Sequence, residues 1–190
     1  MAKTSGGNKG GGIIGKADRV LKGIEIGINN QKYESAAVVD AKGNVLFNKD
    51  GQANFVFFTG AELAQMPNNV VTHNHPSSLR SRYGIGSSFS KEDLTLAVQQ
   101  NVSEIRAVSG KVVFSMKRPP NGWNANPDAV KRVYRTAEGT ITKKLQSYID
   151  NYSGDIVTAI GRAGTLHAHL ISKEVAKRFG WEYTNIKIKK

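Results

Sequence analysis

The stretch Val70–Val98, "VVTHNHPSSLRSRYGIGSSFSKEDLTLAV", decides how this chain reads. Its β-branched start runs straight into His73-Asn74-His75, which predicts a strand ending at the histidines. Pro76 cannot continue a ladder and fixes the exit. Ser90-Lys91-Glu92-Asp93 is a capping sequence, so a helix begins at Ser90. Residues i and i+2 of a strand project from one face, so both imidazoles can reach one ion. The chain has no cysteine, which leaves a carboxylate or another histidine as the third ligand. Asp93 sits in the first turn of the predicted helix and faces back towards its start, and so towards the preceding strand end. Taken singly, a His-x-His pair and a Ser-x-x-Asp cap are ordinary features. Together, with the proline between them, they point to a metal site.

Working outward, "SAAVVD" and "NVLFNK" read as strands joined by a Lys42-Gly43-Asn44 turn, and "NFVFFT" as a further β-rich run. "TGAELAQM" reads as a helix capped by Thr59, with Glu62 closing a capping box. "EIRAVSGKVVFSMKR" predicts two strands about Ser109-Gly110. Upstream, "IIGKADRVLKGI" predicts a short helix after a Gly/Lys-rich tail. That tail spells GxGxxG at Gly10, Gly12 and Gly15, but no strand precedes it, so a flexible tail is the better reading. The expected class is α+β, resembling a three-layer α/β domain. The expected division is a tail and short helix over 1–23, a central domain over 24–118 and a basic, mainly helical extension over 119–190. In the extension Val130, Val133, Tyr134, Ala137, Ile141, Leu145 and Tyr148 recur at helical spacing, with Gly139 arguing against one unbroken helix. "GTLHAHLISKEVAKRFG" predicts another helix stopped by Gly180, and "NIKIKK" an edge strand or a frayed basic end. His167 and His169 lie two apart on that helix and so point to different sides.

Composition narrows the function classes. The absence of cysteine excludes disulfides, thiolate nucleophiles and iron–sulfur clusters. A net charge of +12 implies attraction to something acidic, whether nucleic acid, an anionic surface or an acidic protein, or else a solubilising surface, and charge alone does not choose among them. No apolar run is long enough to span a membrane, and the first residues lack the apolar core of a signal peptide. The expected setting is therefore intracellular, or one of export without such a signal. HExxH, GxSxG and GxxxxGK[ST] are all absent, and the literal "HNH" is not the nuclease motif of that name.

His-x-His-Pro, a polar loop and then Ser-x-x-Asp resembles the signature of the JAMM/MPN+ zinc metalloproteases, and "HNHPSS" is similar to their RadC-type branch. The span from Tyr33 to Arg118 also resembles JAMM-like domains attached to phage head morphogenesis proteins of the Mu F type and to toxin-like cassettes. The resemblance implies a JAMM/MPN-type mixed sheet flanked by helices. It implies Zn2+ held by His73, His75 and Asp93, with Ser90 stabilising an oxyanion. It also implies an upstream glutamate as general base, carried over to Glu34, with Glu62 second because the Thr59 box already occupies it. The loop from Ser77 to Phe89 is longer than the family's. It reads equally as a lid presenting Arg80, Arg82 and Tyr83 or as a surface insertion.

The activity implied is hydrolysis of peptide or isopeptide bonds in a protein substrate, ubiquitin-like conjugates included. A second reading is a phage- or mobile-element-associated structural or nucleic-acid-binding protein. It would contact phosphates through Lys131-Arg132, Lys143-Lys144 and the C-terminal "KIKK". A toxin acting on nucleic acid through the same metal is a third.

Overall fold

The computed structural model describes residues 15–76, 87–110 and 112–188. Most of the Ser77–Phe89 loop, most of the glycine-rich tail and the last two lysines lie outside the described residues. In chain order the elements are α1 (Lys16–Ile28), β1 (Ser35–Val39), β2 (Val45–Asp50), α2 (Gly60–Leu63), β3 (Val70–Asn74), α3 (Lys91–Gln99), β4 (Glu104–Ser109), β5 (Val112–Lys117), α4 (Pro127–Asp150), α5 (Ile156–Phe179) and β6 (Glu182–Lys187). The six strands form one mixed sheet in the order β2-β1-β3-β4-β5-β6. Only the β3–β4 pair is parallel. A parallel pair needs a crossover, and α3 supplies it. The α+β expectation holds.

Alternation along the strands sorts side chains into two layers. Val38, Val71, Ile105, Ala107, Phe114 and Met116 face α3, α4 and α5 in one large core. The alternate residues face α1. There Thr72 Oγ1 donates to buried Glu25 at 3.2 Å, and Arg106 clamps the same carboxylate through Nε at 2.6 Å and Nη2 at 3.1 Å. Arg106 also reaches Glu104 at 3.2 Å, so the charges sharing this face of the sheet are paired.

Three expectations change. The run "NFVFFT" forms no strand. The chain turns back after Gly51, with Gln52 N–H donating to the Phe55 carbonyl at 2.8 Å, and a Cβ at Gly51 would meet that carbonyl oxygen at 2.3 Å. Phe58 then packs edge-on against Phe47, while Phe55 and Phe57 stay exposed. The boundary placed at 23/24 falls inside α1, which runs on to Ile28 because Leu21 and Glu25 lie on the same buried face. The boundary at 118/119 falls inside the main core. That core includes Trp123, Val130, Ile171 and Trp181 together with the strands, and β6 pairs antiparallel with β5. Trp123 and Trp181 meet edge to face at 4.7 Å, and their indole N–H groups donate to the carbonyls of Val102 and Trp123.

Other details follow the sequence. The hairpin turns at Gly43 with φ of 82°, and β4 turns into β5 at Gly110 with φ of 62°. α4 passes unbroken through Gly139 because Ala137 and Ile141, on either side of it, are buried. Gly180 ends α5 in the left-handed region that glycine adopts without strain.

Because one core spans both sides of residue 118, a chain ending at Arg118 is expected to show no cooperative urea transition, while the full chain does. In the full chain, Trp181→Ala is expected to cost about 3–5 kcal/mol in the same measurement.

Candidate metal centre

The site is built by the β3–α3–β4 crossover. In β3, Val71 and His73 point to the α3 side, and His75, just past the strand end, continues that alternation. The helix that returns the chain starts beside the carboxyl end of β3, which brings Asp93 to the histidines. His73 Nε2 lies 3.0 Å from His75 Nε2 and 3.3 Å from Asp93 Oδ1, and His75 Nε2 lies 3.5 Å from Asp93 Oδ2. Ligands of a tetrahedral zinc at about 2.1 Å lie about 3.4 Å from one another, so this donor set fits such an ion. Among the described residues these three are the group of histidines and carboxylates close enough to share one.

The surrounding hydrogen bonds orient the donors. His75 Nδ1 donates to the Ser87 carbonyl at 3.1 Å, which leaves Nε2 as the lone-pair nitrogen of the neutral ring. Ser109 Oγ donates to the His75 carbonyl at 3.3 Å and accepts the Ser87 N–H at 3.1 Å, tying together the two ends of the loop. Ser90 and Asp93 form a reciprocal capping box. Ser90 Oγ accepts the Asp93 N–H at 3.1 Å, and Asp93 Oδ2 accepts the Ser90 N–H at 2.7 Å. The carboxylate is thereby aimed, and Oδ1 is left for an ion.

Glu34 joins by register. β1 and β3 pair antiparallel with Ala36 opposite His73, so two residues further out Glu34 stands opposite His75 on the same face. Sequence reading missed the residue that holds it there. Asn74, between the histidines, points to the other face. Its Oδ1 accepts the Ser35 N–H at 2.6 Å and its Nδ2 donates to the Tyr33 carbonyl at 3.0 Å. An amide at that position beside a ligand pair was the signal that could have found it. Glu62, the second choice as base, lies elsewhere, bonded to Lys49 Nζ at 2.8 Å and to Thr59. His167 and His169 diverge as expected, to Thr142 and Tyr183 respectively, and take no part.

Glu34, His73, His75, Ser90 and Asp93 all line one cavity of about 470 Å³. Phe55, Val56, Phe58 and Leu96 give it an apolar wall, and Glu92, Gln99 and Lys131 a polar one. Burial raises the Glu34 carboxyl above its ordinary value, against the pull of the two histidines. Burial also opposes charge on His75, but its hydrogen bond to Asp93 and the Asp93 charge outweigh that and lift it to about 9. Burial alone would raise Asp93, yet the two imidazoles hold it well below the carboxylate range. Comparison with protein-family models, curated proteins and solved structures returns no match for this chain.

An ion entering this site must displace the proton on His75. Zinc binding near pH 7 is therefore expected to release about one proton, and apparent affinity to rise about tenfold per pH unit until about pH 9, where His75 has lost its proton. Calorimetric titration in buffers of different ionisation enthalpy measures that count. Binding without proton release would contradict the arrangement.

Proposed function

We propose that the protein is a zinc-dependent hydrolase of peptide or isopeptide bonds. The observation that carries this reading is the convergence of His73, His75 and Asp93 on one point, with Glu34 on the wall of the same cavity. Two imidazoles and one carboxylate suit zinc well and leave a position open, as hydrolytic sites require. A zinc ion held there would supply Lewis acidity and lower the pKa of a water.

The chain's own residues account for the rest. Glu34, with its carboxyl raised by burial, accepts a proton from the attacking water and delivers it to the leaving amine. The Ser90 hydroxyl uses a lone pair in the helix cap and keeps its hydrogen free, so it can donate to the oxyanion that develops on the substrate carbonyl. The apolar wall takes a side chain of the substrate and excludes water. Protein substrates, ubiquitin-like conjugates among them, are the class implied by the resemblance to the JAMM/MPN+ family.

Glu34→Gln separates binding from chemistry. It is expected to retain about one zinc per chain by mass spectrometry and to lose at least about 10²-fold in cleavage of ubiquitin-like fusions or a peptide library. His75→Ala and Asp93→Ala are expected to lose the metal itself. Undiminished cleavage in Glu34→Gln would remove Glu34 as the base, and a wild type that binds no zinc would end this reading.

A further inference from the structure

On α5, His169, Lys173 and Lys177 follow one another at four-residue intervals, so they form one stripe along the helix. At about 1.5 Å per residue the stripe is about 12 Å long. It flanks β6, the strand at the sheet's edge, and the two elements enclose a groove of about 550 Å³. Tyr183, Thr184 and Asn185 supply the β6 wall. Every polar side chain in the lining can donate a hydrogen bond, and none is a carboxylate.

Lys173 and Lys177 are exposed, and among the described residues neither has a carboxylate within ion-pair distance. Their neighbour Glu174 is held by Arg178 at 3.0 Å. Burial, followed by the charge of Lys173, holds His169 below its ordinary value, so the ring is neutral at pH 7. Its Nδ1 engages the Tyr183 hydroxyl at 2.8 Å. Trp181 is buried, so the groove offers no indole face for bases to stack on.

We propose that this groove binds the linked phosphates of a nucleic-acid strand, with Lys173 and Lys177 contacting successive phosphates and Asn185 donating from β6. Lys173 and Lys177 stand about 6 Å apart along α5, with Asn185 across the groove, so a run of linked phosphates can engage these donors together. The net charge of +12 attracts so dense a polyanion from a distance. Binding through phosphates is independent of sequence and strongly salt-dependent. Lys131-Arg132 and Lys143-Lys144, singled out from sequence, lie on α4. The proposal is independent of the metal centre.

The test is fluorescence anisotropy of a labelled single-stranded DNA oligonucleotide across a salt series, with the duplex of the same sequence alongside. Lys173→Gln with Lys177→Gln is expected to weaken binding at least about tenfold and to lower the salt slope by about 1.4, two phosphate contacts at about 0.7 each. Lys16→Gln with Lys22→Gln removes the same charge from exposed positions on α1 and is the control, with melting curves confirming that each variant is folded. Equal losses in both pairs, or no binding by the wild type, would overturn the proposal. Displacement of the oligonucleotide by inorganic phosphate at matched ionic strength would reassign the groove to single phosphate groups. Equal competition by poly-glutamate would assign it to acidic protein segments.

Discussion

The parallel pairing of β3 with β4 is the constraint on which the rest of this structure depends. A chain leaving the end of one strand and re-entering beside its start must cross the sheet, and here it crosses as α3. The first turn of that helix then lies near the carboxyl end of β3. A ligand pair at a strand end and a carboxylate in a helix's first turn are thereby brought together, although eighteen residues separate His75 from Asp93. The capping box that starts α3 also aims the carboxylate, so one local motif serves both the helix and the site.

What the sequence revealed and what it hid follow from how local each cause is. The strand at Val70, the Ser90 cap and the i, i+2 histidines are set by neighbouring residues, and the structure has them where the pattern places them. Glu34 could be named only through a resemblance, because its position depends on antiparallel register with His75, forty-one positions further along the chain. The role of Asn74 depends on the same register. "NFVFFT" has strand composition, but the tight passage at Gly51 takes it out of the sheet, and composition does not encode that close approach. The supposed extension after residue 118 belongs to the core because two indoles separated by fifty-eight residues meet there.

The C-terminal elements also brace the site. Tyr134 of α4 donates its hydroxyl to the Phe89 carbonyl at 3.2 Å. Ser88 bonds to Ser172 of α5 and to Tyr183 of β6 at 3.2 and 2.9 Å. These contacts hold the two residues just before the Ser90 cap. The helices and final strand therefore determine how accurately Asp93 faces the histidines, without touching them.

That bracing has a consequence for the order in which the centre comes into being. Synthesis delivers Glu34, both histidines and Asp93 long before Ser172 and Tyr183. Until α5 and the last strand have docked, the segment that positions Asp93 lacks two of its anchors, Ser172 and Tyr183. A chain still emerging carries Glu34, His73, His75 and Asp93 without all the contacts that hold them together. The last hydrogen bonds that brace the start of α3 therefore wait on the docking of α5 and β6.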